Sequence, residues 1–333
     1  MKLIDNSRLL VKKGIMIMSE LSVVIPVYNM ERYIRNCLDS VVNQTFKDIE
    51  IIVVNDKSND HTKEIVSEFY IKYPHIIIID NLENEGSGRS RNKGIMASDS
   101  NYIGFIDGDD WVDLNYYSTL MSAARSTDSD IIMASITDEF NNHISAVARY
   151  AYSEEFTIDG RTGLRLLTKS ENMGTYITPI MNNKIYKREF LVKNGIVCSD
   201  NKSWQDDFFS FFAILYADKI TFTPGTTYHY KQCPFSVTHA ATDSKSKIDN
   251  CLDVLCKIRT RLQASGLYSI YKHEYQSFVE RSISSLLVMI HNDTKKQDSD
   301  ILPYLFSELT QMFNVGDIIR YLDNERIYHF FDL

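Results

Sequence analysis

Three carboxylates fall within four residues at Asp107-Gly108-Asp109-Asp110, directly after the apolar run Tyr102-Ile103-Gly104-Phe105-Ile106. Like charges this crowded repel unless solvated or neutralised. Oxygen ligands on a tight turn suit a hard divalent cation, Mg²⁺ or Mn²⁺, which can in turn hold a diphosphate. The competing reading of an acidic turn is a helix start, the role expected here for Asp110 and Asp113. A second group lies at Gly86 to Gly94, where Arg89, Arg91 and Lys93 would complement a phosphate. Its glycines do not spell GxGxxG and no GK[ST] follows, so dinucleotide-dehydrogenase and P-loop readings lose their best motif. Two more polar clusters, Pro26-Val27-Tyr28-Asn29 and Asn55-Asp56-Lys57-Ser58-Asn59-Asp60, also follow apolar runs.

These clusters need a scaffold that brings them to one place, and the hydrophobic pattern supplies it. Leu21 to Val27, Ile49 to Val54, Ile76 to Ile79, Tyr102 to Ile106 and Ile131 to Ala134 read as buried strands. Between them, Ile34, Cys37, Leu38 and Val41 recur at helical spacing, Ile65, Val66 and Phe69 mark a second helix, and Arg89 to Ala97 and Leu114 to Arg125 read as two more. Continuously apolar strands separated by helices imply a doubly wound, mostly parallel α/β sheet covered on both faces. Ligands then bind beyond the carboxyl ends of the strands, where all four polar clusters fall. Beyond residue 136 the pattern is less regular, with helices expected at Gly160 to Leu167 and after Asp207. From Ser244 onward it reads as a helical C-terminal region.

Composition bounds the rest. A chain of 333 residues with 24% charged and 44% hydrophobic residues can bury a large core, and its length suggests about two domains. The net charge of −8 makes nucleic acid a poor partner. Five cysteines, Cys37, Cys198, Cys233, Cys251 and Cys256, form no CxxC pair and read as buried thiols in a reducing compartment. No apolar run approaches the ~18 residues of a membrane span, so the expected location is the cytoplasm, with the inner face of the membrane as a peripheral alternative. Residues 1–20 read as a tail or an upstream-start extension.

Taken together, the four clusters resemble the inverting glycosyltransferases of family 2, which have the GT-A fold. The residues that carry the resemblance are Ser22-Val23-Val24-Ile25-Pro26-Val27-Tyr28-Asn29, Val54 to Asp60, Gly86 with Arg91-Asn92-Lys93-Gly94, and Phe105 to Asp110. It implies a UDP-sugar donor site in which Pro26, Tyr28 and Glu31 surround the nucleotide and Asp56 pairs with the imide of uracil. Arg91 would lie near base and phosphates. Asp107 and Asp109 match the family's Asp-x-Asp motif for Mn²⁺ or Mg²⁺, with Asp109 as the direct ligand. The family's Glu-Asp pair before a helix corresponds to Gln205-Asp206, so Asp206 is expected to be the base, with Asp207 as the alternative if the register slips by one. Trp204 and Gln205 would touch the acceptor. Lys231 matches a basic residue near the diphosphate, while Cys233 stands where a second Arg is common. His229 and His239 are expected to be structural rather than metal ligands.

The implied layout is a donor half over 21–135, an acceptor and base half over 136–240 and a helical region over 241–333. The activity expected is transfer of a hexosyl or N-acetylhexosaminyl group, with inversion, to a glycan or lipid-linked acceptor in capsule, O-antigen or teichoic-acid assembly. The C-terminal helices would pack on the acceptor side, mediate homo-oligomer formation or rest against a membrane-associated partner. A catalytically weak nucleotide-sugar-binding or scaffold subunit of a glycan-assembly complex is the alternative, motivated by Gln205 and the helical C-terminal region. A sugar-phosphate nucleotidyltransferase would need a Gly-rich loop after the first strand, where Tyr28-Asn29-Met30 stands.

Overall fold

The computed structural model describes residues 11–12, 15–16, 19–140, 145–168, 177–232, 244–293, 300–314 and 316–318. A short antiparallel hairpin, β1 (Val11–Lys12) and β2 (Ile15–Met16), precedes the main sheet. Strand β3 (Leu21–Val27) is buried along its whole length. It is flanked in parallel by β4 (Ile49–Asn55) and β6 (Tyr102–Phe105), and β4 carries β5 (Ile76–Asp80), also parallel. The register pairs Val27 with Asn55 and Asn55 with Asp80, so these strands end at one edge.

Alternation along β3 explains the two-sided burial. Leu21, Val23, Ile25 and Val27 face one apolar cluster with α1 (Ile34–Val42), α2 (Thr62–Lys72) and α4 (Tyr116–Thr127), whereas Val24 faces the other. That second cluster holds α3 (Ser87–Ala97), α5 (Gly160–Thr168) and α7 (Gln205–Tyr216). Side chains pointing alternately to opposite faces make such a strand the centre of a doubly wound sheet.

Past β6 the order becomes β11 (Lys184–Lys187), β8 (Ile131–Phe140), β12 (Ile220–Lys231) and β10 (Phe156–Ile158). β11 runs antiparallel between β6 and β8, and β8 and β12 are parallel. Two further strands, β7 (Trp111–Val112) and β9 (Ser145–Tyr150), pair antiparallel with β12 and β8. Thus the sheet is mostly parallel with antiparallel insertions. β8 continues past the Ala134 expected from hydrophobicity, because Thr137, Asp138 and Glu139 pair with both β9 and β12.

The short α6 (Arg188–Lys193) follows β11. The C-terminal helices α8 (Ser244–Ala264), α9 (Lys272–Asp293) and α10 (Ile301–Met312) bury Ile248, Leu252, Leu255, Phe278 and Leu305 in the same cluster as α5 and α7. No described helix is long and apolar enough to cross a membrane. The four described cysteines carry free thiols, three of them buried; Cys233 and His239 lie outside the described residues.

Candidate active site

The loops after β3 and β4 are laced together. Asn29, in a left-handed backbone conformation (φ 54°), donates its N–H to Ser58 and accepts from the N–H of Asn59. Glu31 accepts from the N–H of His61 and donates its own N–H to Asp60. Pro26 is buried in β3, and Tyr28 beside it is exposed.

Asp56 is buried below them. Its carboxylate accepts from Asn81 Nδ2 at 2.7 Å and from the N–H groups of Glu85 (2.9 Å) and Gly86 (2.8 Å). Lys93 Nζ donates to Asn81 Oδ1 at 2.7 Å and to Glu85 at 2.6 Å, closing the ring. A carboxylate has about four acceptor positions; three are filled here, so one further donor can be taken. Sequence reasoning gave Asn81 no role, because an isolated Asn after a strand carries no signal of its buried partner.

The acidic turn separates its three aspartates by task. Gly108 packs where a Cβ would sit 3.2 Å from Val27 and 3.3 Å from Met30, which sets the turn against the end of β3. Asp110 is buried and accepts from the Tyr228 hydroxyl and from the N–H of Lys231 at 2.8 Å. Burial, then the charges of Asp109 and Asp107, push its carboxyl well above the usual range. Asp113 accepts from the N–H of Thr227 at 2.9 Å. The side chains of Asp110 and Asp113 therefore tie the turn to β12 and do not cap α4, whose N-cap residue is Asn115. The sequence reading missed this because β12 lies more than 100 residues away.

Asp109 is left with no ion pair to another described residue, and burial together with neighbouring Asp107 pushes its carboxyl up to about 6. That is the electrostatic condition of a group suited to a cation. Among the described residues no three His, Cys, Asp or Glu side chains converge into a metal cage. One or two carboxylates sharing an ion with substrate phosphates is the arrangement usual for Mg²⁺, and Asp109 with Asp107 fits it. Lys231 lies close enough to offset the Asp109 charge, with its Nζ 4.1 Å from the Tyr33 ring centroid. His229 is committed elsewhere: its ring nitrogens contact Glu139 at 2.7 Å and Asp113 at 2.9 Å, and its ring stacks on Trp111 at 3.4 Å.

Arg91 joins the two halves of the site. It is 3% exposed, with Nη2 2.5 Å from Asp107 Oδ1 and Nη1 3.2 Å from Asp206 Oδ1. Burial opposes its charge, but the two carboxylates overcome that cost and hold the guanidinium charged above its ordinary value. α3 reaches this position because Gly88 passes close to the chain before α7: a Cβ there would lie 2.6 Å from the Ser199 carbonyl oxygen. Asn92 completes the seam, donating Nδ2 to Cys198 O at 2.9 Å and accepting the Cys198 N–H at 2.8 Å.

Trp204 enters α7 in a left-handed conformation (φ 63°), uncommon for a bulky side chain, and packs half-buried against the core. Gln205 is buried and donates to Ser87 Oγ at 2.6 Å. Asp206 faces Arg91; burial raises its carboxyl, and Arg91 and, more weakly, the backbone N–H of Met181 oppose the rise. Asp207 points the other way, with Oδ1 3.9 Å from Arg281 of α9, and burial pushes it up to about 7. Lys184, at the start of β11, is also buried, and its amine is pushed down to about 7 by burial and partly restored by Asp206.

Residues 22–193, just over half the chain, match the sequence profile described as Glycosyl transferase family 2. The chain belongs to that family. This family 2 chain is 29% identical over 275 residues to Glycosyltransferase GlyA of Streptococcus pneumoniae serotype 4, an alignment covering 80% of it but 38% of GlyA. Among solved structures, residues 1–349 of S. aureus TarS in complex with UDP-GlcNAc superpose with a TM-score of 0.60 at 18% identity, covering 92% of this chain and 91% of that fragment. The mannosyltransferase PcManGT of Pyrobaculum calidifontis, in complex with GDP-Man and Mn²⁺, gives 0.53 at 11% identity, covering 95% and 88%. At these identities the likeness establishes the fold, a GT-A-type α/β sheet with C-terminal helices.

Proposed function

We propose that this chain is a metal-dependent inverting glycosyltransferase that moves a sugar from a UDP-sugar to a hydroxyl of a surface glycan or lipid-linked saccharide. The observation that carries the reading is Arg91, buried between Asp107 of the acidic turn and Asp206 at the start of α7. One cation thereby sets the distance between the donor's metal-binding turn and a carboxylate on the acceptor side. Support for the donor comes from TarS, described in complex with UDP and with UDP-GlcNAc. PcManGT, described with Mn²⁺, supports a divalent ion.

In this reading Pro26, Tyr28 and Glu31 border the nucleotide, and Asp56 offers its remaining acceptor position to the uracil imide. A Mn²⁺ or Mg²⁺ held by Asp109 with Asp107 would offset the charge that gathers on the departing diphosphate. Arg91 and Lys231 add fixed positive charge on the same side. Asp206 accepts the proton of the attacking acceptor hydroxyl as the bond to the anomeric carbon forms and UDP departs from the opposite face. Its raised pKa suits a general base, and the hydrogen bond from Arg91 fixes its orientation. Asp207, turned to Arg281, is less well placed for this task.

Calorimetry with UDP and Mn²⁺ tests the donor site. Asp109→Ala is expected to weaken metal-dependent binding at least about tenfold, a loss of ~1.4 kcal/mol. Unchanged affinity contradicts the metal assignment. UDP release from a panel of UDP-glucose, UDP-galactose and UDP-GlcNAc then identifies the sugar.

A further inference from the structure

A lysine fully enclosed in a protein normally has a carboxylate partner or shifts toward neutrality. Lys184 is 1% exposed and forms no ion pair among the described residues. Its ammonium instead donates to the carbonyl oxygens of Thr178 (3.3 Å) and Ile180 and to Asn183 Oδ1 (2.8 Å). An ammonium has three donors, and all three are spent on the irregular segment 178–183. The neighbours of that segment reinforce the knot: Ser210 of α7 donates to Pro179 O at 2.6 Å, and Tyr186 donates to Met181 O at 3.1 Å.

Ser210 thus ties the segment to α7, the helix whose first turn carries Asp206, and the backbone N–H of Met181 faces that carboxylate and favours its charged form. β11 is antiparallel, and its register places Ile185 opposite Gly104, so Lys184 lies at the sheet edge where β6 ends and the acidic turn begins. A hydrophobic residue of similar length would fill the same space without supplying any of the three donors. We propose that Lys184 is a positioning residue for Asp206: by gathering the carbonyls of 178–183 it fixes the segment that Ser210 of α7 holds, and so sets the Met181 N–H against the carboxylate that Arg91 grips. This rests on the reading of Asp206 as the base.

Lys184→Met keeps the length and removes the donors. Turnover per folded molecule, read as UDP release from the preferred donor of the panel, is expected to fall about 10- to 100-fold, as loss of alignment does. The affinity for UDP with Mn²⁺ should stay within about twofold of wild type. Hydrogen exchange should show the Met181 amide opening at least about tenfold faster while α7 interior amides stay protected. A role confined to stability would lower the melting temperature and move neither turnover per folded molecule nor the balance between turnover and donor affinity. If Lys184→Met is not recovered folded, Lys184→Gln, which keeps an N–H donor on a shorter arm, is read by the same criteria. Wild-type turnover together with unchanged Met181 exchange overturns the proposal. Asp206→Asn measured alongside separates the two failures: if it turns over like wild type, the base assignment has failed, and Met181 exchange alone decides whether Lys184 organises this segment.

Discussion

Nη1 of Arg91 and Oδ1 of Asp206, 115 residues apart in sequence, stand 3.2 Å apart at the junction of α3 and α7. The other arm of the same guanidinium holds Asp107. Removing one member of a buried charge cluster leaves the others uncompensated, at a cost of about 3–5 kcal/mol. Arg91→Met is therefore expected to lower the midpoint of urea unfolding and to cut turnover more than a hundredfold. Arg91→Lys should recover part of the stability and little turnover, because an ammonium cannot span both carboxylates as a planar fork does.

Gly88 is the steric condition for that contact. A methyl group there meets the Ser199 backbone oxygen at 2.6 Å, and backbone yields less readily than the end of a side chain. Gly88→Ala should cost about 1–3 kcal/mol by overpacking and reduce turnover by pushing α3 away from the chain before α7. Thermal unfolding and kcat measured on the same preparation check both.

Tyr228→Phe removes the hydroxyl that donates to Asp110 and accepts the N–H of Asp107. A buried carboxylate deprived of a donor costs about 1–3 kcal/mol. The acidic turn should loosen, and UDP affinity in the presence of Mn²⁺ should fall several-fold. Calorimetry and urea unfolding read these separately.

Asp207 predicts a pH dependence of stability. Its folded-state pKa is raised, to about 7, from an unfolded value of about 4, so the folded state binds the proton more tightly. Stability must then fall as pH rises from about 4 to about 7, the range over which the unfolded chain has released this proton and the folded chain has not. Asp207→Asn should flatten that fall and gain on the order of 2 kcal/mol at pH 8. Urea midpoints at pH 5 and pH 8 for both proteins measure it.

Much of this site was legible in the sequence because acids and Arg at the ends of apolar strands are chemically out of place. Asp56, Asp107, Asp109 and Arg91 stood out on that ground, and continuous apolar runs revealed β3, β4 and β6. β12 did not, since Pro224 and Gly225 interrupt it and its register with β8 shifts between Phe222 and Thr227. Nor did β11, four residues long and antiparallel inside a parallel sheet. Those two strands supply Tyr228 and Lys184, so the residues that orient the aspartates were hidden along with them. Asn92 and Gln205 show the same limit, because their partners Cys198 and Ser87 lie on elements distant in the chain.

The central claim is that Asp206, gripped by Arg91, takes the acceptor proton. Its most direct test is single-turnover UDP release by Asp206→Asn, with Asp207→Asn alongside and UDP affinity in Mn²⁺ as the control for donor binding. The account predicts that Asp206→Asn loses at least about a thousandfold in rate, near 4 kcal/mol of barrier, with UDP affinity within about twofold of wild type, and that Asp207→Asn stays active. Wild-type rates for Asp206→Asn, with the loss appearing in Asp207→Asn, would contradict it.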